Sequence, residues 1–265
     1  MVVRRYLRGR LPPDRLERVV EAVAARHDCD PAHVQPLEAD NWLSTPLVVD
    51  DELFVKVVSE QNALVHGLLT AGRNLGALAS GTQGFFEHVR TPAAMAEREL
   101  AATERIRDLG LDAPEPVEAL SVDGLGVAVF EYLPEFDTLG DLDPACVRML
   151  APELFAALAT MHDAGIAHGD LREENVLVAD ATLYFIDATT LREARLNDAR
   201  AYDLACGLAA LAPLVGARTA VTAARTAYPP ADLLAAREFL DFVRVRPDHR
   251  FDAAAVKGEI DTDAA

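Results

Sequence analysis

Between residues 53 and 58 the chain reads Leu-Phe-Val-Lys-Val-Val, a short apolar run of branched and aromatic residues that predicts a strand with Lys56 set into it. A second run, Val127-Ala-Val-Phe-Glu-Tyr-Leu133 followed by Pro134, predicts a strand passing into an extended linker. Asn175-Val-Leu-Val-Ala and Leu183-Tyr-Phe-Ile, separated by the polar Asp180-Ala-Thr, predict a hairpin. Elsewhere the apolar period becomes three and four. Leu16, Val19, Val20 and Val23 share one face of a helix over 12–27, and Met95 to Glu104 lie in a helix over 93–109. Pro144 to His162 predicts a long helix, with others over 201–212 and from about Ala231 to Val243. Residues 59–92 hold Gly67, Gly72, Gly76, Gly81 and Gly84, which predicts an insertion rather than a packed element. The acidic end, Asp252 to Ala265, reads as a disordered tail, with packing of part of it as the alternative.

Composition changes this picture in two places. At 265 residues and 51% hydrophobic content the chain can bury an adequate core and is not generally disordered. Its net charge is −18, and of 25 basic residues only Lys56 and Lys257 are lysines. That balance predicts a salt-rich cytoplasm, as in halophilic archaea. At molar salt the Debye length is only ~3 Å, so the charge does not exclude RNA or a ribosomal particle as partner. Three cysteines (Cys29, Cys146, Cys206) without metal-binding spacing fit a reducing cytoplasm. Arg4, Arg5, Arg8 and Arg10 are followed by no apolar run, so no secretory leader is expected. The longest uncharged stretch, Leu204 to Ala217, is too short to span a bilayer, so no membrane partner is expected.

The chemistry lies in His168-Gly-Asp-Leu-Arg-Glu-Glu-Asn-Val-Leu-Val178 and in Asp187, seventeen positions after Asp170. An Asp, an Asn five residues on, and an Asp leaving a short apolar strand make the metal-and-base end of a protein-kinase-like phosphotransferase site. Asp170 suits acceptance of a hydroxyl proton; Asn175 and Asp187 suit Mg²⁺ held against the phosphates of ATP. Such a site also needs a strand Lys on the phosphates and a helical Glu to hold it. In a chain that uses Arg almost everywhere, Lys56 implies a need for a compact ammonium. Glu97 and Glu99 lie two apart on a helix and cannot face the same way, and Glu99 is the favoured partner. Backbone groups of Glu131 and Leu133 are placed to meet adenine, and an Asp at 203 can anchor the loop that carries Asp170. No Gly-x-Gly-x-x-Gly precedes Lys56. Ser44 and Thr45 with neighbouring amides are the phosphate contacts available there, with Trp42 as a cover for the nucleotide or simply a packed ring. Arg172 is placed either to touch a γ-phosphate or acidic substrate, or to lie in solvent.

With these residues in hand, the chain resembles the RIO family of atypical serine/threonine protein kinases, in a haloarchaeal form. The segment Ala96-Glu-Arg-Glu-Leu through Leu109-Gly-Leu-Asp-Ala-Pro-Glu-Pro-Val117 resembles the family's helix C and the Pro turn after it. The roughly forty residues between Lys56 and Glu97 resemble its flexible-loop insertion, and the fifteen between Asp187 and Asp203 leave no room for an activation segment. The resemblance covers about residues 34–212. It implies an α+β, bilobal kinase-like fold with a small β-rich N-lobe and a helical C-lobe, truncated without an activation segment. The implied division is an N-terminal helical extension at 1–33, an N-lobe at 34–133 with its insertion at 59–92, a C-lobe at 134–250 and an acidic tail at 251–265. The implied activity is ATP- and Mg²⁺-dependent phosphotransfer to protein serine or threonine, including to itself. A nucleotide-gated ATPase switch serving a ribosomal or tRNA-modifying particle is the alternative, and a small-molecule kinase is a further one.

Overall fold

The computed structural model describes residues 11–37, 44–64, 91–188, 196–246 and 249–264. The proposed cover Trp42, most of the insertion (65–90), the arginine-rich start (1–10) and Thr189 lie outside these. The chain divides into two compact units, one drawn from residues 1–72, 88–104 and 114–134, the other from 73–87, 105–113 and 135–265.

The first unit is a sheet with both faces buried. Helix α1 (Pro13–His27) is followed by β1 (Val34–Pro36), β2 (Thr45–Val49), β3 (Leu53–Val58), helix α2 (Pro92–Asp108), β4 (Pro116–Val122) and β5 (Leu125–Glu131). The strands are antiparallel in the order β1-β2-β3-β5-β4. Asp123 and Gly124 turn β4 into β5 with φ of 50° and 77°, the doubly positive pair a tight hairpin requires. Period-two alternation sends Leu53, Val55 and Val57 to one face, where they pack with Val127, Val129 and the α1 side chains Val19, Val20 and Val23. Helix α1 is therefore part of the core of this unit rather than an extension beside it. Phe54 faces the other way, with Ala128 and Phe130, against Ala96 and Leu100 of α2. The approach there is close: a Cβ on Gly126 would lie 2.0 Å from the carbonyl oxygen of Pro92.

The second unit begins with β6 (Asp137–Thr138) and helix α3 (Pro144–Asp163). A 3₁₀ turn (Glu173–Asn175), β7 (Val176–Ala179) and β8 (Thr182–Phe185) lead to α4 (Leu196–Val215), α5 (Ala217–Ala224), α6 (Pro230–Arg237), α7 (Leu240–Val245) and α8 (Ala253–Asp263). Asp143 caps α3 by accepting from the N–H groups of Ala145 (2.8 Å) and Cys146 (3.3 Å), with Pro144 in the first turn. Helix α3 has the length and mean hydropathy (1.2) of a membrane span, but Val147, Leu154, Phe155, Leu158 and Met161 are buried inside the unit. Strands β7 and β8 form the expected hairpin around Asp180 and Ala181, both at positive φ. The acidic end corrects the sequence reading: it is helix α8, not a disordered tail. Asp252 caps it, Ala253, Val256 and Ile260 are buried, and three of its charged side chains are paired across the unit. Asp261 meets Arg237 at 2.8 Å, Asp263 meets Arg225 at 2.6 Å, and Lys257 meets Asp241 at 2.6 Å. A sparse apolar stripe and carboxylates whose partners lie elsewhere in the chain hide this helix from a local reading.

Candidate active site

In the first unit, Lys56 lies on the sheet face that α2 covers and is only 5% exposed. Its Nζ donates to Glu99 Oε1 at 2.6 Å. Ala96, Glu99, Leu100 and Thr103 lie on successive turns of α2, whereas Glu97 points to solvent. The pair places one oriented ammonium in a largely dry setting, which suits anion binding. Ser44 is buried immediately before β2. Glu131 ends β5, and its N–H donates to the Glu115 carbonyl at 2.9 Å. Tyr132 N–H donates to Glu52 O at 2.7 Å, so the strand exit is tied down just before Leu133.

In the second unit, the loop from His168 to Asn175 is held at three points. Asp203, fully buried on α4, accepts the backbone N–H groups of His168 (2.5 Å) and Gly169 (2.7 Å). Gly169 has a φ of 80°, the conformation that suits glycine. Behind Asp203 stands His162 at 3.3 Å, whose Nδ1 is in turn 2.8 Å from the hydroxyl of Tyr228. Burial pushes the Tyr228 phenol above its ordinary range and holds the imidazole of His168 below its own. Finally, Asn175 Nδ2 donates to the carbonyl of Asp170 at 2.7 Å, which binds the two ends of the turn together. The carbonyl of Asn175 accepts from Ile186 N–H at 3.1 Å, one residue before Asp187. Asp187 itself is half-buried with φ at 60°, an uncommon conformation for a residue with a side chain and one that gathers at functional sites.

The carboxylate of Asp170 is 6% exposed as a residue and does not stand alone. Its Oδ1 accepts from Arg246 Nη2 at 2.5 Å, and Oδ2 lies 3.6 Å from Arg172 Nε. Arg172 also meets Glu174 at 2.9 Å and Asn175 Oδ1 at 3.4 Å, so it lies over the loop rather than in open solvent. Arg246 follows α7, and its other terminal nitrogen donates to the hydroxyl of Tyr202. Neither Arg246 nor His162 was among the residues expected at this site. Arg246 lies 76 positions from Asp170, and no spacing motif joins them.

Among the described residues no three of His, Cys, Asp or Glu gather into a metal cluster. The donor set does fit Mg²⁺, which takes one or two protein oxygens and draws the rest from phosphate and water. Asn175 Nδ2 is committed to the Asp170 carbonyl, so its amide oxygen, 3.4 Å from Arg172 Nη2, and the carboxylate of Asp187 are the oxygens of the right chemistry here.

A five-stranded antiparallel sheet with a Lys–Glu pair, and a helical unit whose Asp-Asn loop is anchored by a buried Asp, define a protein-kinase-like fold. The chain is similar in fold to a putative fructosamine-3-kinase from Haemophilus somnus, with a TM-score of 0.51 at 10% identity over 93% of this chain and 97% of that one. Lower TM-scores relate it to the PknI kinase domain of Mycobacterium tuberculosis (0.45; 14% identity, 87% and 94% covered). The Drosophila melanogaster PAN3 pseudokinase follows (0.37; 14% identity, 85% and 63% covered). Within this class the similarity is to the RIO family, whose domain matches residues 85–202. That span takes in α2 and the loop of Asp170, ends at Tyr202, and leaves Lys56 and Arg246 outside it. No curated protein matches the chain.

Proposed function

We propose that this RIO-like protein is an ATP- and Mg²⁺-dependent phosphotransferase acting on serine or threonine hydroxyls, its own included, in the cytoplasm. The observation that carries the reading is the 2.7 Å bond from Asn175 Nδ2 to Asp170 O, which ties a carboxylate residue and an amide residue together on one loop. In this reading Lys56, oriented by Glu99, neutralises the nucleotide phosphates. Ser44 adds a hydroxyl to them, and the Glu131 carbonyl and Leu133 amide take the adenine edge. Asn175 and Asp187 would hold Mg²⁺, which when bound would supply positive charge to offset that of the phosphates. Asp170 accepts and orients the attacking hydroxyl. Phosphoryl transfer asks for little covalent help from the protein, so positioning and charge supply most of the rate.

A second reading is a nucleotide-gated ATPase switch serving a ribosomal or tRNA-modifying particle. It is favoured by the fifteen residues between Asp187 and Asp203, too few for a segment that docks a peptide. Incubation with γ-labelled ATP and Mg²⁺ in molar salt separates the two. Label on serine or threonine supports the kinase, whereas free phosphate or a hydroxylamine-labile aspartyl phosphate supports the switch. Label transferred only to an added sugar amine would instead support a small-molecule kinase. Turnover that survives Asp187→Ala would sink the site assignment.

A further inference from the structure

We propose that Arg246 is a positioning residue for Asp170, fixing which carboxylate oxygen receives the substrate hydroxyl; this rests on the reading of Asp170 as the hydroxyl acceptor. The guanidinium is a built part of the site rather than a passing surface contact. The Arg246 and Asp170 side chains are 7% and 9% exposed, and a buried ion pair persists only when geometry and extra hydrogen bonds offset desolvation. Here the extra bond is to the hydroxyl of Tyr202, a residue with no exposed surface. The Tyr202 ring is braced by Phe239 at 6.2 Å and Phe242 at 5.7 Å. The Arg246 backbone is fixed as well, its N–H donating to Val243 O at 3.1 Å.

Helix α4 thus grips the Asp170 loop twice through consecutive residues. Asp203 holds its backbone at His168 and Gly169, and Tyr202 holds its side chain through Arg246. A guanidinium presents its donors in a fixed fork, so with one terminal nitrogen on the Tyr202 hydroxyl the other meets Asp170 Oδ1 from a set direction, as an ammonium would not. With Oδ1 committed to Arg246 at 2.5 Å, acceptance of the hydroxyl falls to Oδ2, the oxygen on the side of Arg172. Without Arg246 the carboxylate would lose its shortest ion pair, leaving the longer one to Arg172 at 3.6 Å, and the acceptor would be misplaced in a share of encounters. Small misplacements of this kind are costly in rate.

The test is steady-state Mg-ATP turnover by the full chain, with kcat and KM separated, for wild type, Asp170→Asn, Arg246→Met, Arg246→Lys and the Asp170→Asn/Arg246→Met double variant. Arg246→Met should lower kcat by ~10-fold or more, at the lower range for misplacing a catalytic group, while KM for ATP stays within about two-fold. Arg246→Lys should recover part of the loss. The double variant should be no slower than Asp170→Asn alone, because Arg246 acts through Asp170. A kcat that is unchanged or raised in Arg246→Met, or losses that multiply in the double variant, would overturn the proposal. Should Arg246→Met fail to fold, Tyr202→Phe removes only the hydroxyl. It must then show a smaller fall in kcat that vanishes in the Asp170→Asn background, and its absence overturns the proposal equally. Full turnover in Asp170→Asn would instead refute the underlying assignment.

Discussion

Asp203 Oδ1 accepts the backbone N–H of Gly169 at 2.7 Å, while its Oδ2 accepts that of His168 at 2.5 Å. A single buried carboxylate therefore satisfies two buried main-chain donors in the loop that carries Asp170. Asp203→Asn keeps the shape but turns one acceptor into a donor that faces a donor. The expected cost is about 1–3 kcal/mol in a denaturant titration, with loss of turnover well below the unfolding midpoint. Unchanged stability would show that the loop is held by other means.

The Lys56–Glu99 pair yields a prediction that separates binding from folding. At 2.6 Å the Glu orients the ammonium, so Glu99→Gln should lower Mg-ATP turnover at least ~10-fold, with a stability loss of only about 1 kcal/mol. Glu97→Gln, on the solvent face of the same helix, serves as the control and should behave as wild type. Equal effects at both positions would refute the assignment of Glu99.

Gly126 predicts a purely steric result. Its Cβ would meet Pro92 O at 2.0 Å and Pro92 C at 2.3 Å, and backbone atoms at a helix start cannot swing aside. Gly126→Ala should cost about 3 kcal/mol, read as a lowered melting temperature. A neutral result would mean that α2 slides over the sheet at little cost.

His168 supplies a pH dependence. Burial lowers its pKa in the folded state, with Asp203 and Asp170 opposing that shift more weakly. The unfolded chain then takes up a proton that the folded one refuses. Stability should therefore fall as pH drops below about 6.5, the unperturbed histidine value, and be fully present above it. Chemical denaturation at neutral and at mildly acidic pH, for wild type and His168→Phe, checks this. The variant should lose less of its stability on acidification than wild type does.

Helix α8 makes the last prediction. Ile260 is 1% exposed, so Ile260→Ala should cost about 2–4 kcal/mol, whereas a disordered end would give no change in the melting curve.

How far the sequence could be read follows from how local each signal is. The β7–β8 hairpin, the strand of Lys56 and helices α1 and α3 were legible because period and turn chemistry act over a few residues. Glu99 was separable from Glu97 because helical geometry alone puts them on different faces. Helix α8 was misread because its charges have their partners on Arg225, Arg237 and Asp241, sites that local pattern does not connect.

By itself, then, the sequence determined most of the elements and the candidate residues in each unit: Lys56 in a strand, Asp170 and Asn175 on one turn, Asp187 after a hairpin. Only the tertiary structure decided what holds them. It brought Arg246, itself held by Tyr202, to the carboxylate of Asp170, and His162, backed by Tyr228, to that of Asp203. The physical reason is burial. A carboxylate removed from water must find its donors wherever the packed helices deliver them, and spacing along the chain does not record that.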